Sequence, residues 1–202
     1  MARPREFDER AVLDAAIQCF WSRGYEATSV RDLAGSMGIT GGSLYNAFGD
    51  KQALYRKALE GYVDVTIADR IRRCEALAPR AGIALFFAEI LVRSLDDPDH
   101  KGCMVVNAAL EASPGDPALR EALAAVLVRI ETFFRRRVEA GQRDGSISAA
   151  QSAADLGRHY LGVLMGVRVL ARVRPERALL EGVVVPALAL LDGPDVRAAR
   201  AQ

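Results

Sequence analysis

The chain has 202 residues, half of them hydrophobic but only 6% aromatic, with 27 basic against 26 acidic side chains. That length supports one good core or two modest ones, and a net charge of +1 singles out no partner by bulk electrostatics. The three cysteines, odd in number and far apart, exclude a disulfide scaffold and fit a reducing cytosol.

Charged residues from Arg3 to Glu9 break any leading apolar run, so no signal peptide is expected. The most apolar stretch, "ALLEGVVVPALALLDG", carries Glu181 and Pro186 and is too short to span a bilayer. A cytoplasmic protein without a membrane partner is expected.

In chain order, Asp8 is a natural cap for a helix over 8–23, with Phe7 placed to staple onto Val12. Val12, Leu13, Ala16, Ile17, Phe20 and Trp21 form its apolar stripe, and Gly24 stands where a left-handed C-terminal cap is wanted. Thr28 or Ser29 opens a second helix to about Met37, with Asp32 completing a capping box and Val30, Leu33 and Met37 facing inward. Gly38 makes a corner, Ile39 plugs it, and Thr40 caps a third helix ending near Ala47. After Phe48-Gly49-Asp50 a fourth helix runs from Lys51 to about Cys74. Longer helices follow at about 81–95, 103–112, 117–142, 149–173 and 176–191, separated by segments rich in Gly, Pro, Asp and Ser. No alternating strand signal and no repeat appears. The fold expected is all-α, about nine helices: a small helical unit at 1–50, a connecting fourth helix at 51–74, and a larger helical body over 51–202.

Two short helices joined at a glycine corner make a helix-turn-helix, whose second helix can enter a major groove. The small residues Thr40, Gly41, Gly42 and Ser43 permit close approach and leave backbone N–H groups free for phosphate. Tyr45 offers a hydroxyl for phosphate and a ring for a thymine methyl, while Leu44 and Phe48 face the core. The run "TSVRDLAGSMGITGGSLYNAFGDKQAL", with "VLDAAIQCFWSRGYEATS" before it, resembles the DNA-binding signature of the TetR/AcrR transcriptional regulators over roughly residues 8–60. That resemblance implies DNA contacts from Arg31, from Thr40, Gly41, Gly42, Ser43, Tyr45 and Asn46, and from Lys51. Many relatives carry a basic residue or proline in place of Gly41 or Gly42, and His or Tyr in place of Ala47, so one or two backbone contacts are missing here. Residues 1–60 hold eight basic and eight acidic side chains, so binding must rely on placement. Arg3 and Arg5 are either a DNA-contacting arm or a solubilising terminus.

The resemblance further implies a dimer built from the last two helices. Gly162 and Gly166 lie one turn apart with Met165 and Val169 beside them, and the last helix, apolar almost all round, brings Val184 and Leu188. An effector cavity in the body would be lined by Phe86, Phe87, Ile90, Met104, Leu110, Phe133, Phe134, Tyr160 and Leu164, with Asn107 and Glu111 as polar partners for a ligand. Cys103, beside His100 and Lys101 at a helix start, resembles a cysteine through which some relatives sense electrophiles or oxidants; the alternative is an inert thiol. No metal site and no cofactor is expected. The function expected is a homodimeric, ligand-responsive regulator, a repressor, on a pseudo-palindromic operator in double-stranded DNA. A helical enzyme and a ligand-independent architectural protein are the rivals, and no catalytic constellation supports the enzyme.

Overall fold

The computed structural model describes residues 8–113 and 115–192, and all regular structure among them is helical. Short polar side chains set the first starts. Asp8, Ser29, Thr40 and Asp50 each accept a backbone N–H at the head of α1 (Glu9–Arg23), α2 (Val30–Met37), α3 (Gly41–Phe48) and α4 (Lys51–Val63). The expected capping box is present: Ser29 and Asp32 bond reciprocally, and Asp32 also pairs with Arg23 at 2.9 Å. Gly38 turns the corner in the left-handed conformation, φ 65°, ψ 26°, which needs no Cβ.

α4 runs unbroken through a π-helical stretch (Asp64–Ala68) into α5 (Asp69–Glu75), so the expected fourth helix is one rod with a widened turn. The body adds α6 (Pro79–Leu95), α7 (Met104–Glu111), α8 (Pro117–Arg143), α9 (Ala153–Val173) and α10 (Arg177–Ala189). With α4 and α5 counted as one, nine helices lie among the described residues.

Three expectations shift. α6 starts at Pro79, whose missing N–H is harmless in the first turn. α9 starts after Ser152, four residues late, because the Gln142 side chain donates to the carbonyls of Ser148 and Gln151 and holds that segment as a turn. Gly24 closes α1 at φ 81°, ψ 173°, which is not the left-handed helical cap. The positive φ calls for glycine there, and the Glu111 carboxylate of α7 lies against it.

The apolar core is continuous from Val12 to Leu191. α4 joins its two ends by packing on α1 and α3 at one side and on α7 at the other. Under α6, α8 and α9 the core is aromatic: Phe87 stacks on Phe134 (5.4 Å), Phe86 on Phe133 (5.3 Å), and Tyr160 closes against Phe134 (5.5 Å). Arg3 and Arg5 lie outside the described residues.

Candidate DNA interface and internal cavity

α3 presents two faces. Leu44 and Phe48 are buried against the small core, while Gly42, Tyr45, Asn46 and Ala47 are exposed. Thr40 Oγ1 accepts the Ser43 N–H at 3.1 Å and shares a hydrogen bond with the Ser43 hydroxyl at 2.9 Å, which fixes the first turn. A Cβ on Gly41 would meet nothing within 4 Å, and one on Gly42 only Thr40 Oγ1 at 3.9 Å. Neither glycine is therefore required by packing within the chain. Arg31 is exposed on α2, without an ion-pair partner among the described residues. Lys51, at the first turn of α4, holds its ammonium 4.3 Å from the centre of the Tyr25 ring. The sequence-expected contact residues thus sit on α2, at the cap and along α3, and at the head of α4.

The geometry agrees with what comparison finds. Residues 12–58 match the family model "Bacterial regulatory proteins, tetR family", and residues 80–184 match "Tetracyclin repressor-like, C-terminal domain". The chain belongs to the TetR family of transcriptional regulators. It is a ligand-responsive DNA-binding protein of a non-enzymatic class. It is 31% identical to the transcriptional repressor ComR of Escherichia coli (strain K12), over 89% of this chain and 85% of that one. It is 30% identical to the uncharacterised regulator YezE of Bacillus subtilis (strain 168), over 95% of this chain and all of that one. Among solved structures, a cysteine mutant of the TetR-family regulator CifR in complex with 26-base-pair operator DNA superposes with a TM-score of 0.84 at 36% identity. The match covers 94% of this chain and all of that one.

Inside the body of this TetR-family regulator a narrow cavity lies between the π-helical stretch, α6, α7, α8 and α9. About 20 Å³ is open to the centre of a water molecule, so the walls nearly touch. Of the residues expected to line an effector cavity, Phe86, Ile90 and Leu164 border this one, and Cys103, expected only as a redox candidate or an inert thiol, borders it too. The π stretch was not foreseen. It brings Thr66 and Ile67 to the wall, and the Thr66 hydroxyl donates back to the Tyr62 carbonyl at 2.6 Å.

Other expected lining residues sit elsewhere. Phe87, Phe133, Phe134, Met104 and Tyr160 are packed in the core, and the Tyr160 hydroxyl donates to the Ala187 carbonyl at 3.2 Å. Leu110 is 72% exposed, on the outward side of α7. Glu111, also exposed, accepts the Tyr25 N–H at 3.1 Å, so it grips the DNA-binding unit and lies away from the cavity. Asn107 donates to the Lys101 carbonyl at 2.9 Å and braces the loop before α7.

Of the expected dimer residues, Gly162 and Val169 are exposed and Gly166, Met165 and Leu188 partly so. Met165 also borders the cavity, and Val184 is buried in the protomer's own core. Cys103 is half-buried and receives the Tyr62 hydroxyl at 3.7 Å, whereas Cys19 and Cys74 are buried. Burial pushes the Tyr62 phenol above its ordinary value, followed by the effect of Cys103.

A buried cation is among the cavity residues that escaped sequence reading. Arg168 on α9 is 7% exposed and lines the wall, donating to the Ser94 hydroxyl (2.9 Å) and the Gly102 carbonyl (2.7 Å). No group of three or more potential metal ligands occurs among the described residues, and no helix there is long and apolar enough to cross a membrane.

Proposed function

We propose that this TetR-family protein is a cytoplasmic homodimeric repressor whose two copies of α3 read a pseudo-palindromic operator, and that a small molecule entering the body releases it. Arg31, Thr40, Gly41, Gly42, Ser43, Tyr45, Asn46 and Lys51 carry the DNA contacts. Tyr45 and Asn46 reach base edges, and Lys51 and the hydroxyls hold phosphates. The operator complexes of the CifR mutants and the repressor role of ComR favour this assignment.

The observation that carries the response to ligand is the span of α7. Its first turn, Val105 and Val106, borders the cavity, and its last residue, Glu111, holds the Tyr25 N–H of the DNA-binding unit. Eight residues of helix make a rod of about 12 Å, stiff enough to carry a displacement from one end to the other. A ligand that wedges the cavity open moves α7, and α7 moves the end of α1. A coupling of about 1–3 kcal/mol suffices to empty the operator.

Selection of bound fragments from the host genome tests the DNA reading. The expected product is an inverted repeat protected at half-sites about 34–36 Å apart or a multiple of that, lost with Tyr45→Ala and Asn46→Ala. Fragments without symmetry, or binding indifferent to both substitutions, would overturn it.

A further inference from the structure

Arg168 and Arg70 are the two buried arginines among the described residues, and they are treated differently. Arg70 meets the Glu89 carboxylate at 3.0 Å and lies over the Phe86 ring. Arg168 has no carboxylate within ion-pair distance among the described residues. Its guanidinium is held only by the neutral Ser94 hydroxyl and Gly102 carbonyl, and its Nε has no hydrogen-bond partner there. A desolvated cation with an idle donor is costly unless something negative meets it. The cavity wall itself supplies nothing negative: its charged residues are Arg70, Arg93 and Arg168, with no Asp or Glu. The remaining wall, including Ile67, Phe86, Ile90 and Leu164, is apolar. A wider surface recess of about 280 Å³ shares Arg93 and Arg168 with the cavity. Asp96, Asp97 and Lys101 border that recess.

We infer, resting on the effector reading above, that the cavity takes a small organic carboxylate with an apolar body, its anionic head docked on Arg168 and its body among Ile67, Phe86, Ile90 and Leu164. A guanidinium already engaged by Ser94 and Gly102, with its Nε–H idle, suits a singly charged carboxylate. The same contact explains how occupancy is felt by the DNA-binding unit. The Gly102 carbonyl accepts from Arg168 and also from the Trp21 indole at 3.3 Å, and Trp21 belongs to α1. A carboxylate that draws the guanidinium toward the cavity weakens its hold on Gly102, and the loop that receives the Trp21 indole shifts with it.

The test is calorimetric titration of the full-length, DNA-free protein with straight-chain carboxylates from acetate to decanoate and with benzoate, each against the alcohol of the same skeleton. At least one carboxylate should bind about tenfold or more tighter than its alcohol. Arg168→Met should erase that preference while the alcohol still binds, and Arg168→Lys should keep part of it. Equal binding of acid and alcohol, binding of no carboxylate, or a preference untouched by Arg168→Met would overturn the assignment. The comparison within the unaltered protein decides the matter even if Arg168→Met fails to fold. Fluorescence anisotropy on a selected operator fragment separates the two readings. Carboxylate binding without operator release leaves the site standing and removes the effector role. An operator released only by uncharged compounds keeps the effector role and removes this ligand class.

Discussion

Gly41 and Gly42 sit in the first turn of α3 where the protomer itself would accept a methyl group. Glycine there costs helix stability, so the room serves something outside the chain. Gly42→Ala should raise stability by about 0.4–1 kcal/mol in a denaturant titration. In anisotropy the same change should weaken operator binding several-fold, and stability and affinity moving together would contradict the close-approach reading. Cysteine chemistry is decided at the same scale. Burial pushes the Cys74 thiol up to about 11, whereas Cys103 is half-buried at the cavity wall. Iodoacetamide at pH 8 followed by peptide mass mapping should label Cys103 first and Cys74 last. If Cys103→Ser leaves any oxidant effect on DNA binding unchanged, that thiol is inert.

The elements differ in how plainly the sequence announces them. Helix starts at Asp8, Ser29 and Thr40 are local chemistry, a short oxygen-bearing side chain over free N–H groups, and can be read without the fold. So can the outward face of α3, because Leu44 and Phe48 mark the opposite one. The cavity cannot be read this way, since an apolar stripe records only that a helix face is buried. Phe87 and Tyr160 went to the core and Phe86 to the wall, although all three look alike in the sequence. Arg168 was missed because an arginine is ordinarily a surface residue. Glu111 was placed in the cavity by its spacing from Asn107, yet as the last residue of α7 it points to the DNA-binding unit. Glu111→Ala should cost only about 1 kcal/mol of stability but blunt effector-induced operator release, read by anisotropy with and without ligand. Release at the usual ligand concentration would remove α7 from the transmission path.

The caps also set an acid limit for these elements. Hydrogen bonds from Ser29 hold the Asp32 carboxyl below its ordinary value, and those from Leu119 N–H, Ser146 and Ser152 do the same for Asp116, Asp144 and Asp155. Each native pKa lies below the unfolded one, so the contribution is full above about pH 4 and vanishes as pH falls through the depressed values. Melting temperature should be flat from pH 7 to 5 and drop steeply below about pH 4, less steeply in Asp155→Asn. An unchanged acid limb in that variant would show that other carboxylates dominate.

At the scale of the molecule, α9 and α10 leave a face uncovered. Gly162, Gly166, Val169 and Val173 follow one another at spacings of four, three and four residues, which puts them on one side of α9. Val169 and Val173 are 41% and 76% exposed, and a Cβ on either glycine would meet nothing within 4 Å. On α10 the corresponding side is Gly182, Val185 and Ala189, with Val185 60% exposed. Valines interspersed with glycines allow helix backbones to approach closely, and a second copy of the same face is the complement that two-fold symmetry supplies. A bulky charge there should spare the protomer and abolish the pair. Gly166→Arg is expected to keep its helical circular dichroism and to elute as a monomer in size exclusion with light scattering, where the unaltered chain is expected to elute as a dimer. Because one half-site then carries the whole load, operator affinity should fall by orders of magnitude. An unaltered chain that is already monomeric at working concentration, or a dimeric Gly166→Arg, would mean that α3 is duplicated by some other surface or not at all.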